Sequence, residues 1–225
     1  MKCLTCVLLL VVALMSLSCC CHKHSPERRS KAPADRVPAQ GQTGCAENPL
    51  KVTPVVQEAT YSCWAACGQM IMDYVRRQSP VWQSVPAPRQ CEQAIREYPA
   101  DCAGCCDTQM HMLCSKTGEP QFDQWHFTVL SKFQDPLTWT GIMDEIDHCR
   151  PFAFSWKQNG GGEHMEVMIG YDTDSSGTHW VTYLDPVFND LADVQRVHVT
   201  DYRDTVQDRH KYDYYKIEVL GSPPP

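Results

Sequence analysis

The chain of 225 residues has no internal repeat, and its one long apolar run, Leu4 to Leu17, is too short to cross a bilayer comfortably. Basic charge is scarce. Lys and Arg number 20 against 27 Asp and Glu, and six of the basic but only two of the acidic residues precede Cys45, leaving 14 against 25 and a net charge of −11 beyond it. Such a deficit argues against nucleic-acid binding. Residues 22–44 lack aromatic side chains altogether and hold three prolines with five basic and two acidic residues, the composition of a disordered, solvated tether. What remains is roughly 180 residues, room for one globular domain with a substantial core and not for two.

The N-terminus reads as an export signal: Lys2, then "LTCVLLLVVALMSL", then "SLSCCC". The last stretch resembles the lipobox of bacterial lipoproteins, which implies membrane attachment through a lipidated Cys19 or Cys20. Residues 1–21 are therefore expected to be a signal peptide or lipoprotein signal, 22–44 the tether, 45–220 the folded domain and 221–225 a proline-rich tail. The protein is expected outside the cytosol, as a periplasmic or cell-surface lipoprotein or a secreted protein.

Cysteine is abundant, with 14 in the chain and nine from Cys45 onward. In an exported domain these are expected to pair, and if one stays free, eight remain for up to four bridges. The segment "CAGCCDTQMHMLC" offers a second reading, because Cys102, Cys105, Cys106, His111 and Cys114 have the residue types and close spacing of a zinc site. An oxidising compartment favours disulfides there, so no metal or other cofactor is expected.

Apolar positions Cys67, Met70, Ile71, Tyr74 and Val75 recur at helical spacing, predicting a helix over 62–77 with Gln69, Asp73, Arg76 and Arg77 on its polar face. A second helix is predicted from Thr140 to Cys149, with Ile142, Ile146 and Cys149 on one side, and a short one from Cys91 to Glu97. Strands are predicted at 151–157, 165–171, 179–186, 194–200 and 214–220, separated by turn-forming clusters. Helix first and antiparallel strands after is an α+β plan.

Cys63 opens the first helix in "SCWAACGQ". A helix N-terminus and a neighbouring imidazolium both favour a thiolate, so the position suits a nucleophile that needs a histidine. His164 follows "NGGGE" and opens a strand, beside a loop open enough for a substrate backbone. Asp185, ending the next strand in "TYLDP", would lie beside His164 and orient its ring, whereas Asp172 and Asp174 fall in the intervening turn. Gln57, six residues before Cys63, could share with the Cys63 backbone N–H the charge of a tetrahedral intermediate.

The Gln57–Trp64 spacing, with serine before the cysteine and "WAA" after it, is similar to the active-site helix entrance of papain-like cysteine peptidases, and "HMEVMIGY" resembles their histidine strand. Within them the order of "CWAA", a "CC" middle region, "EIDHCRP" and a glycine-preceded histidine over residues 52–187 resembles the bacterial AvrRpt2-like and C39-like group. The resemblance implies a papain-like fold for residues 45–220, an N-terminal active-site helix packed on an antiparallel sheet. It also implies hydrolysis of protein or peptide substrates by Cys63, His164 and Asp185 with Gln57 as oxyanion donor. Animal and plant papains carry asparagine where Asp185 stands, and the region between helix and strands is shorter here. Two other readings remain at this stage: a catalytically silent papain-like binding module, and a disulfide- or zinc-stabilised structural lipoprotein.

Overall fold

The computed structural model describes residues 45–107, 114–158, 161–187, 195–204 and 208–223, all within one compact unit, Arg36–Pro225. The expected signal segment and tether lie outside the described residues, as do His111 and the end of the proline-rich tail.

The elements in chain order are α1 (Cys63–Arg77), α2 (Gln90–Glu97), a 3-10 turn (Phe122–Trp125), β1 (Phe127–Phe133), α3 (Trp139–Asp147), β2 (Phe152–Gln158), β3 (Glu163–Thr173), β4 (His179–Leu184), β5 (Gln195–His198), α4 (Val199–Arg203) and β6 (Asp208–Val219). The strands form one six-stranded sheet in the order β1-β6-β2-β3-β4-β5, and every described pairing is antiparallel. Helix α1 packs across β3, β2 and β6. This is the expected α+β arrangement.

The core lies between α1 and the sheet. On β2, Phe152 to Trp156 are all buried, as a central strand covered on both faces requires. Helix α1 is buried nearly all round: Met70, Ile71, Met72 and Tyr74 are 2% exposed or less. Arg76, expected on its polar face, is buried instead. Its guanidinium lies over the rings of Trp82 and Phe127 and donates to the Pro86 and Trp125 carbonyl oxygens, so aromatic faces and loop carbonyls stand in for water.

The second predicted helix ends before Cys149, which takes a left-handed φ of 56° and bridges to Cys45. The surrounding "EIDHCRP" is a clasp. Buried Glu145 accepts from Arg150 Nε at 3.0 Å and from the Lys216 backbone N–H at 3.0 Å, tying α3 to β6, while Asp147 accepts from the Tyr171 hydroxyl at 2.7 Å, tying it to β3. At Gly170 the segment around Pro49 crosses β3 so closely that a Cβ would meet Pro49 Cβ at 2.8 Å.

Three disulfides are present among the described residues: Cys45–Cys149, Cys91–Cys106 and Cys105–Cys114. The expected upper limit of four is not reached, because Cys67 and Cys102 stay free alongside Cys63. Cys105 and Cys114, two of the candidate zinc ligands, are bonded to each other, and Cys106 to Cys91.

Candidate active site

Helix α1 begins at Cys63 without a side-chain cap and without an acidic residue in its first turn. The Ser62 hydroxyl, in the capping position, instead accepts from the Ala59 N–H at 2.9 Å and contacts Gln90. The Ser62 N–H donates to the Ala59 carbonyl and the Ala65 N–H to the Ser62 carbonyl, so it is the Cys63 and Trp64 N–H groups that stand at the positive end of α1 for a ligand. Trp64 fixes that end. Its indole N–H donates to the Lys116 carbonyl at 2.8 Å, and Gly118 presses against the ring where a Cβ would come within 2.8 Å.

His164 is the second residue of β3, whose antiparallel partner β4 runs back to Leu184 opposite Val167. Asp185 therefore emerges alongside the histidine, and Asp185 Oδ1 lies 2.8 Å from His164 Nε2. The same Oδ1 accepts from the Val187 N–H at 2.8 Å, which holds the carboxylate in place. Cys63 lies near enough to the His164 ring to help hold its proton. With Nε2 occupied by Asp185, Nδ1 is the nitrogen left to face the sulfur. The expected cysteine, histidine and aspartate, from three elements spread over residues 63–185, thus meet at one place. Asp174, the nearer alternative, is engaged elsewhere: it accepts from the backbone N–H groups of Ser176 and Thr178 and from the Trp180 indole.

Burial by itself would lower the basicity of His164. The Asp185 hydrogen bond, the neighbouring Cys63 side chain and the charges of Asp185 and Glu166 outweigh it and push the ring's pKa up to about 10. The imidazole is protonated at neutral pH, the state that stabilises a thiolate beside it. Cys67, one turn along α1, is the contrasting case: it is fully buried, donates to the Met165 carbonyl at 3.3 Å, and burial followed by the charges of Cys63, Glu166 and Asp185 raises its pKa well above the ordinary thiol value. A thiol so placed stays protonated and inert.

Gln57 lies in the loop before α1, and its backbone N–H donates to the Pro186 carbonyl at 2.9 Å, joining this loop to the residue after Asp185. Its amide nitrogen donates to the Ala59 and Thr60 carbonyls, both at 3.0 Å. Both amide hydrogens are thereby directed at the loop rather than at Cys63.

One residue of the site escaped the sequence reading. Glu166, 3% exposed, places Oε1 at 3.8 Å from His164 Nε2. Its signal was the two-residue spacing from His164, which puts both side chains on one face of β3. His164, Glu166 and Asp185 also have the residue types of a metal site, with potential ligand atoms all within 4.8 Å of one another. At 2.8 Å the Asp185–His164 contact is a hydrogen bond, so the cluster as it stands holds a proton at Nε2.

No curated protein matches the chain. The peptidase C39-like family matches residues 49–216, well over half of the chain and including all four expected site residues. The match falls on the C39-like side of the expected resemblance; the AvrRpt2-like side rests on motif order alone. On this coverage and on its papain-like α+β fold, the chain belongs to the peptidase C39-like family of cysteine peptidases.

Proposed function

We propose that the protein is an exported cysteine peptidase that cleaves peptide bonds with Cys63 as nucleophile, His164 as acid and base, and Asp185 as the group that orients the histidine. The observation that carries this reading is the 2.8 Å bond between His164 and Asp185 beside Cys63, which heads α1 and raises the basicity of the ring. The Cys63 sulfur attacks the substrate carbonyl, and its carbonyl oxygen gains a negative charge. The Cys63 backbone N–H receives that charge, and Gln57 adds a second donor when one of its amide hydrogens exchanges a loop carbonyl for the oxyanion. His164 then gives its proton to the leaving amine, takes one from water, and the resulting hydroxide releases the acyl group from sulfur. Export rests on the N-terminal apolar run followed by "SLSCCC" and on the three disulfides, which persist in oxidising compartments. Attachment through Cys19 or Cys20 belongs to the same reading.

The test is alkylation with an epoxide peptide probe together with cleavage of a peptide library. Cys63 is expected to be labelled in preference to Cys67 and Cys102, which are 0% and 1% exposed against 9% for Cys63. His164→Ala is expected to suppress labelling, and Cys63→Ala to abolish cleavage. A Cys63 found oxidised in a bridge, or cleavage that survives Cys63→Ala, refutes the peptidase reading.

A further inference from the structure

We propose that Glu166 is a second positioning residue for His164, a buried carboxylate whose charge, beside the Asp185 hydrogen bond, helps the ring keep its proton. The purpose of this arrangement rests on the peptidase reading above; its geometry does not.

Glu166 and His164 share one face of β3, and Asp185 arrives from the end of β4 on the same side. Asp185 Oδ1 is 2.8 Å and Glu166 Oε1 3.8 Å from His164 Nε2. The shorter contact is a hydrogen bond; the longer one is beyond hydrogen-bond range and acts through charge. Both carboxylates thus address one nitrogen and leave the other for the thiol. The side chains are enclosed, with His164 14%, Glu166 4% and Asp185 13% exposed, so solvent screens their interaction little. Two carboxylates this close would repel each other in a dry site, and the imidazolium between them offsets that repulsion.

The other titratable groups around the cluster make Glu166 the one unassigned contributor. From α1 come Cys63, which supports the ring's proton, and Cys67, whose ionisation the Glu166 and Asp185 charges oppose. From β4 comes Tyr183, raised by burial and then by the same two charges. Across the ladder on β2 the residue paired with His164 is Trp156, which does not titrate. Asp185 alone suffices to orient the ring, since it makes the direct bond. What Glu166 adds is charge: it extends to higher pH the range over which His164 keeps the proton that a leaving amine requires.

The experiment uses the full chain and follows the rate of Cys63 alkylation by iodoacetamide, located by mass spectrometry, through the titration of the ring. In Glu166→Gln, nearly identical in shape, the alkaline step in the profile is expected to move down by about half a pH unit, less than on loss of the Asp185 charge, with Cys63 still the labelled thiol. A merely structural role would lower thermal stability and leave that step in place, which would overturn the proposal. Should Glu166→Gln fail to fold, Glu166→Asp keeps the charge but withdraws it by one methylene, and a smaller downward move is expected; an unmoved step there overturns it equally. Peptide cleavage by the wild-type protein is measured separately. Its absence would refute the peptidase reading without altering the alkylation profile.

Discussion

Replacing Asp185 with asparagine changes charge while keeping shape, which makes it a sharp test of how His164 holds its proton. The asparagine oxygen can still accept from the Val187 N–H and from His164 Nε2, both 2.8 Å from Asp185 Oδ1, so the loop stays anchored. The loss is the difference between a charge-assisted and a neutral hydrogen bond, about 1–2 kcal/mol, or roughly one pH unit off the ring's affinity for its proton. The comparison is best made in a Cys63→Ala background, where the ring titrates without exchanging a proton with the thiol. With Cys63 present the ring's folded pKa is about 10 against its ordinary 6.5, and without the thiol Asp185 and Glu166 still hold it up. Its protonation therefore stabilises the fold in full below pH 6.5, and that contribution is lost as pH rises through the ring's folded pKa. Cys63→Ala/Asp185→Asn should consequently be about 1–2 kcal/mol less stable than Cys63→Ala under mildly acid conditions. The difference should close as the pH passes the ring's upper titration. NMR titration of the His164 ring and urea unfolding at several pH values measure the two effects. An unmoved ring midpoint, or a stability gap that widens with pH, refutes the account.

Two further predictions concern the frame that holds the site. Gly118→Ala brings a Cβ to 2.8 Å from the rigid, 2% exposed indole of Trp64, and overpacking of this kind costs about 1–3 kcal/mol. Calorimetry should show a lower melting temperature, and because Trp64 adjoins Cys63, the alkylation rate should fall too; an unchanged melting temperature would mean the ring yields freely. Replacing Cys45 and Cys149 with alanine opens a bridge between residues 104 apart, which should cost about 2–5 kcal/mol by denaturant unfolding while Cys63 remains reactive in the folded fraction. Loss of reactivity in protein that is still folded would show that this bridge shapes the site and does not merely brace it.

Much of the plan was legible because it is written locally. The apolar spacing from Cys67 to Val75 marks α1, and the run from Phe152 to Trp156 marks a buried central strand. β6 was read only from its C-terminal half, because its first half, "DRHKYD", has polar residues on the buried side: His210 is 6% and Asp213 0% exposed. Asp213 is tolerated there because the Tyr202 hydroxyl and the Leu137 N–H donate to it at 2.8 Å, partners that come from distant segments. β1 was missed for a related reason. It is an edge strand with Leu130 and Phe133 half exposed, so its alternation of burial is weak.

The sequence by itself determined the thiol at a helix start, the histidine opening a strand and the carboxylate closing the next one, since each depends on local periodicity and turn chemistry. Only the tertiary structure decided which cysteines pair, that Arg76 turns inward, that the Gln57 amide points to its own loop, and that Glu166 stands beside His164. Those outcomes depend on burial and on distances between residues far apart in the chain. A hydrogen bond or a buried charge has no energy to assign until both partners are in place.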